Sequence, residues 1–339
     1  MAKYKQGKQS IFFPDPPVIT AWASIAGKKE SEGPLAHSFD MCSQDTYFGQ
    51  NTWEQAEKRM QQLALRKLTE KAGLQLQELE LLFSGDLLNQ CICSSFSMRN
   101  TGIPHLGLYG ACSTMAESLL LASLAVGGGF ADQAAALTSS HFAASERQYR
   151  FPLGYGGQRT PTSQWTVTGS GAALVCAQGK GPRITGCTIG TITDLGIKDA
   201  NNMGAAMAPA ALETIKAHFR DTGKTAGDYD RIITGDLGAV GKEMLLALAR
   251  KEGISLGGKL EDCGCLIFDR QKQDVHAGGS GCGCSAVVLC GYLLNRIRSG
   301  KWKNILFCGT GALLSPTSTQ QGLPIPGVCH AVAITGGNE

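Results

Sequence analysis

Charge is scarce in this chain of 339 residues: 17% of positions are charged, and 31 Lys and Arg against 28 Asp and Glu leave a net charge of +3. Aromatic residues are scarce too, at 7%. A nucleic-acid surface needs a basic stripe with interleaved rings, and the dispersed lysines and arginines form none, so nucleic acid is excluded as a partner. No apolar run approaches the roughly 20 residues that a bilayer crossing takes. The basic opening runs into Ile11-Phe12-Phe13-Pro14, too short an apolar segment for a secretion signal. A soluble protein without signal peptide or transmembrane segment is expected. No C-x-x-C pair occurs and no His stands three to five residues from another, so the pairs Cys91/Cys93, Cys263/Cys265 and Cys282/Cys284 lack a zinc pattern.

Cysteine and glycine are abundant, at 13 and 44, on a background that is 43% hydrophobic. The odd cysteine count, and its placement in apolar runs such as 172–177 and 304–308, reads as reduced, mostly buried thiols. The most informative feature is that the chain is written twice. Leu82-Phe-Ser-Gly-Asp-Leu87 and Ile232-Ile-Thr-Gly-Asp-Leu237 align at an offset of 150, which also carries Gly73 onto Gly223. A helical pattern precedes each. Residues 52–72 place Trp53, Ala56, Met60, Leu63, Ala64 and Leu68 on one face, with Thr52 and Gln55 matching a capping box. The counterpart, 209–222, opens on a first-turn proline and carries Leu212, Ile215 and Phe219.

Further along, the offset becomes 171. Gly110-Ala-Cys-Ser-Thr114 opens an apolar helix reaching Val126, and Gly281-Cys-Gly-Cys-Ser285 opens one reaching Ser299; strands 133–139 and 304–310 follow them. Pro161-Thr-Ser163 recurs as Pro316-Thr-Ser318, each shortly before a closing strand, 171–177 and 328–335. Two β-α-β-α-β copies imply mostly parallel sheets, and helices apolar nearly all round belong between layers. The expected fold is α/β, a duplicated five-layer α-β-α-β-α sandwich with halves 1–180 and 181–339.

Cys112 stands where strand 106–109 meets the first apolar helix. A helix start offers free N–H groups and a positive dipole end, which suit a nucleophilic thiol; the alternative is one more small buried residue. The run Gly110-Ala-Cys-Ser-Thr-Met115 resembles the nucleophile motif of the thiolase and ketosynthase superfamily, whose fold is this duplicated sandwich. More closely, Ser84-Gly-Asp-Leu-Leu-Asn-Gln90, Asn202-Met-Gly-Ala-Ala-Met-Ala-Pro-Ala-Ala211, His276-Ala-Gly-Gly-Ser-Gly-Cys282 and Thr310-Gly-Ala-Leu-Leu-Ser-Pro316 are similar to the stage V sporulation protein AD (SpoVAD) family, over nearly the whole chain.

That resemblance implies a non-catalytic, thiolase-like protein of spore formation and germination. It implies binding of dipicolinic acid, pyridine-2,6-dicarboxylate, and action with the SpoVA membrane proteins in dipicolinate uptake into the developing spore. It further implies peripheral association with the forespore or spore inner membrane and, as in thiolase relatives, a homodimer. A condensing Cys needs His/His, His/Asn or His/Cys partners, and loops 234–241 and 277–284 hold neither His nor Asn. Cys112 is then a vestigial nucleophile position in a binding pocket. The competing reading is a ketosynthase-like or thiolase-like acyltransferase with Cys112 as nucleophile.

A planar dianion asks for backbone donors, positive charge and an apolar wall. Donors are expected from Cys112, Ser113, Ser140, Ser280 and Gly281, and His141 and His276 are candidates for the pocket as well as for ordinary structural roles. Arg147 and Arg150, interleaved with Tyr149, are the expected positive charge, against their reading as a solvated loop. Asn89, Asp86 and Asp236 complete the set; the two aspartates are open between capping loops, orienting donors and meeting calcium that accompanies dipicolinate. No resident cofactor or metal is expected.

Overall fold

A computed structural model, described over residues 3–149 and 158–337, holds two copies of one unit. The first copy runs β1 (Val18–Ala26), α1 (Trp53–Ala72), β2 (Leu82–Gly85), α2 (Ile92–Met98), β3 (His105–Leu108), α3 (Thr114–Gly127), β4 (Gln133–Ser140), α4 (Phe142–Tyr149) and β5 (Gly169–Cys176). The second runs β6 (Arg183–Thr188), α5 (Met203–Thr222), β7 (Arg231–Thr234), α6 (Gly238–Lys251), β8 (Leu260–Asp262), α7 (Cys282–Val288), β9 (Asn304–Ala312) and β10 (Gly327–Thr335). The division at 180/181 falls in the turn between β5 and β6.

The strand order is the same in both copies. β1, β5 and β4 pair antiparallel, and β4, β2 and β3 continue in parallel; likewise β6, β10 and β9 are antiparallel, and β9, β7 and β8 parallel. The parallel pairs are those joined through helices, as crossover geometry requires. The two sheets expected from the sequence also meet edge to edge, through one residue pair, Arg183 with Val18.

Five layers result. On β4 the side chains alternate: Ala135 and Leu137 face outward, to Ala56, Met60, Ala64 and Leu68 of α1, and Ala134 and Ala136 face inward, to Met115 and Leu119 of α3. α7 shares the inner layer, set closely on the first sheet where Ala286 and Val287 meet Gly171 and Gly169 of β5, while Met115 and Leu119 of α3 belong to one buried cluster with Ile305, Phe307 and Val332 of the second sheet. α5 closes the opposite face with Ala210, Leu212 and Ile215 on Ile232, Leu306 and Ala331.

The repeat holds to the residue in α1 and α5, each 20 residues long. Thr52 and Asn202 cap them by accepting the N–H groups of Gln55 and Ala205, and Gly73 and Gly223 end them in the left-handed region at φ 69° and 71°. The helix expected to open at Pro209 therefore opens at Met203, with the proline inside. The Asn202 cap fixes the start, and burial of Met203 to Leu212 offsets the hydrogen bond that proline cannot donate. The second central helix, expected unbroken to Ser299, instead widens into a π turn at Leu289–Leu293 before a last turn, Leu294–Arg298. Gly291 in that turn backs onto Phe39, where an added Cβ would stand 2.7 Å from the ring.

The cysteines are all unpaired, ten buried and three half-buried. Among the described residues no helix is long and apolar enough to cross a membrane.

Candidate functional site

Between β3 and α3 the chain turns within a few residues. Ala111 takes φ +53°, a conformation costly for a residue with a Cβ, and the turn sets Cys112 at the start of α3. The start of α7 lies opposite. There Gly281 has φ +98°, and a Cβ on it would stand 2.8 Å from Ser140 Oγ, so glycine alone lets the end of β4 and the start of α7 approach. Two helix N-termini converge on one point.

Asp236 fills that point. Its carboxylate accepts the Gly281 N–H at 2.8 Å, the Thr310 hydroxyl at 2.9 Å and the Ser280 hydroxyl at 3.4 Å, and the Cys112 thiol faces it as a further donor. A helix start is an anion site, and here the chain supplies the anion itself. Burial outweighs these donors and pushes the Asp236 carboxyl up to about 7. Burial first, and the Asp236 charge second, push the Cys112 thiol well above its usual range. The thiol is held protonated, the opposite of what a nucleophile needs.

Around Cys112 lies a cleft lined by Leu87, Ala111, Ser145, Glu146, Tyr149, Thr166, Met203, Ser280, Ala312 and Leu314. Its cavity volume is small, about 50 Å³. Tyr149 makes it this tight. Its ring packs on Leu87, Cys112 and Cys282, while its hydroxyl donates to the Leu87 carbonyl at 2.5 Å and meets the Tyr109 hydroxyl at 2.8 Å.

The residues expected from the sequence separate into groups. Cys112 and Ser280 line the cleft, with Asp236 and Gly281 directly behind. Asn89 bonds Tyr109 beside it, its Oδ1 accepting the phenol at 3.2 Å. Ser113 and Ser140 spend their hydroxyls on the Gly110 and Val167 carbonyls at 2.7 and 2.6 Å. Asp86, the repeat mate of Asp236, turns away and accepts Leu88 N–H at 3.0 Å and Ser94 N–H at 2.8 Å. His141 donates Nε2–H to the Thr46 carbonyl at 2.9 Å, and His276 faces exposed Asp274 at 3.3 Å. Arg147 is bound to Glu54 and covers the Trp53 ring, so the positive charge expected of it is spent outside the cleft. Arg150 lies outside the described residues, and among the described lining residues none is cationic.

Tyr149, Met203 and Leu314 stand inside or beside conspicuous runs of the sequence, yet spacing alone does not say which side chain of a run turns inward. Leu87 stands in the repeated Gly-Asp-Leu run with the same ambiguity, and Glu146 and Thr166 carry no such signal at all.

The profile of the family "Stage V sporulation protein AD (SpoVAD)" matches residues 7–335. Stage V sporulation protein AD of Bacillus subtilis (strain 168) is 44% identical over 326 residues, 96% of each chain. The fold is similar to that of 3-oxoacyl-[acyl-carrier-protein] synthase III from Aquifex aeolicus VF5, at TM-score 0.57 and 15% identity over 94% of this chain and 99% of that one. Cerulenin-bound OleA of Xanthomonas campestris is similar too, at TM-score 0.57 and 14% identity over 97% of each chain. At such identity the solved structures speak for the fold alone, which is thiolase-like, as the duplicated sandwich led one to expect. With a match that runs from the first strands to the last, the chain belongs to the stage V sporulation protein AD family of sporulation proteins.

Proposed function

We propose that this protein binds dipicolinic acid in the Cys112 cleft without catalysing a condensation, and acts beside the SpoVA membrane proteins, at the inner membrane, in dipicolinate uptake into the spore. The observation that carries the non-catalytic half is Asp236: the group that meets the Cys112 thiol is a buried carboxylate, which holds the proton on sulfur instead of removing it. The binding half is supported by a small cleft with mostly apolar walls, a phenol ring and a few hydroxyls, which suits a flat ring with polar ends; Glu146 in its wall adds an acidic group beside Asp236.

Charge sets a condition on this reading. Asp236 repels a dianion when ionised, so binding is coupled to a proton on Asp236 or to calcium arriving with the ligand. Dipicolinate affinity should rise as the pH falls from about 8 to about 6, and Asp236→Asn should remove that dependence. Titration calorimetry with dipicolinate is the test; no heat at millimolar ligand sinks the binding claim. An acyl adduct on Cys112 after incubation with an acyl-CoA, read by intact mass, transfers the protein to the acyltransferase reading.

A homodimer through the β3 edge belongs to the same proposal. That edge leaves Leu106 53% and Tyr109 47% exposed, with Phe96 46% exposed alongside. Leu106→Lys should shift the mass in solution from dimer to monomer, by light scattering.

A further inference from the structure

On the outer side of the first sheet, Glu57 of α1, Asp86 after β2 and Cys93 of α2 come together. A carboxylate oxygen of each acid and the Cys93 sulfur all lie within 4.8 Å of one another. The three residues are 0%, 0% and 2% exposed. Asp86 is fixed by the Ser94 N–H and hydroxyl, which donate to its Oδ2 at 2.8 and 2.7 Å. Glu57 Oε1 accepts the Ser139 hydroxyl at 2.8 Å, whereas Oε2, equally buried, meets no N–H or O–H donor among the described residues, and the Cys93 thiol is a further donor facing this carboxyl. No ion pair among the described residues reaches the group, and the charges that act most strongly on Glu57 and Cys93 are acidic, Asp86 and Glu54 among them. Burying two carboxyls and a thiol together without a cation is unfavourable unless protons or a metal ion neutralise them.

We propose that Glu57, Asp86 and Cys93 form a binding site for one divalent metal ion of the zinc class. Two carboxyl oxygens and a thiolate make three ligands, with a water or the Ser139 hydroxyl available for the fourth position of a tetrahedron. The sulfur selects zinc over calcium or magnesium, which take oxygen. Taking up one divalent ion at constant buried charge releases two protons, the thiol's and one carboxyl's, while the second carboxyl keeps its proton and ligates through its carbonyl oxygen. The ligands come from separate elements, so no short cysteine or histidine motif announces the site. Cys93 lies on the buried side of α2, a helix of seven residues. The ion clamps α2 and the Asp86 loop onto α1, independently of what the Cys112 cleft binds.

The test strips the full-length protein with a chelator and reloads it with zinc or cobalt. One metal per chain is expected, with a thiolate-to-cobalt charge-transfer absorption and, at the zinc edge, one sulfur at about 2.3 Å and oxygens at about 2.0 Å. Cys93→Ser should abolish the charge-transfer absorption, Glu57→Gln should weaken zinc binding at least roughly tenfold, and Cys176→Ser should change neither. Failure of the wild-type protein to take up metal overturns the proposal. So does a zinc shell with no sulfur or with several, or a charge-transfer absorption that survives Cys93→Ser. These wild-type spectra decide the matter even where Glu57→Gln does not fold.

Discussion

Asp86 and Asp236 occupy the same place in the two copies and play opposite parts. Asp86 turns outward and pins the start of α2. In the second copy Asp262 pins the corresponding turn instead, accepting the Leu237, Gly238 and Cys265 N–H groups at 2.8, 3.0 and 3.0 Å, which leaves Asp236 free to face Cys112. A buried acid raised in this way favours the folded state only while protonated. The folded pKa of Asp236 is about 7, as is that of Glu30, another fully buried carboxyl, so both contribute stability below the unfolded value of about 4 that is lost as pH rises through about 7. The melting temperature should therefore fall between about pH 4 and about pH 7, and Asp236→Asn should flatten that fall, leaving the shares of Glu30 and the other raised buried acids, Glu57 and Asp262 among them. Alkylation of Cys112 by iodoacetamide should be slow, and faster in Asp236→Asn, because the charge that holds the thiol proton is gone.

Among the elements, the paired helices show how much of the repeat is local chemistry. Each is bounded by a side-chain cap and a left-handed glycine, and both boundaries are short-range devices. Asn202→Ala and Thr52→Ala should each cost about 1 kcal/mol, and Gly223→Ala about 1–2 kcal/mol for the left-handed residue; urea unfolding measures all three. Pro209 obeys no local rule. Proline inside a helix is disfavoured by its own backbone, and it is tolerated here because the turn around it is buried against the second sheet and α6.

At the scale of the molecule the halves are interlocked rather than set side by side. Gly171 of β5 meets α7 of the other half, where a Cβ would stand 2.4 Å from the Ala286 carbonyl; Gly309 of β9 meets α3, where it would stand 2.5 Å from Ala116 Cβ. A carbonyl oxygen and an alanine Cβ are both fixed by the backbone, so neither contact has a flexible atom to give way. Gly309→Val should lower stability by about 1–3 kcal/mol or more, and wild type and variant should each unfold in a single transition. Two resolved transitions in the wild type would mean that the halves fold independently.

The sequence by itself determined the duplicated sandwich, the place of Cys112 at a helix start and the family, because periodicity, caps and motifs are written in neighbouring residues. It did not determine the site. Repeat symmetry gives Asp86 and Asp236 one environment, and only the tertiary structure separates them, through Asp262, which is distant in sequence from both. Arg147 read as a charge for a ligand until α1 brought Glu54 to it. The cleft over Cys112 draws Leu87, Tyr149, Thr166, Met203 and Leu314 from separate segments. Which side chain of each segment turns inward is decided by packing between layers, an interaction that no local window of sequence contains.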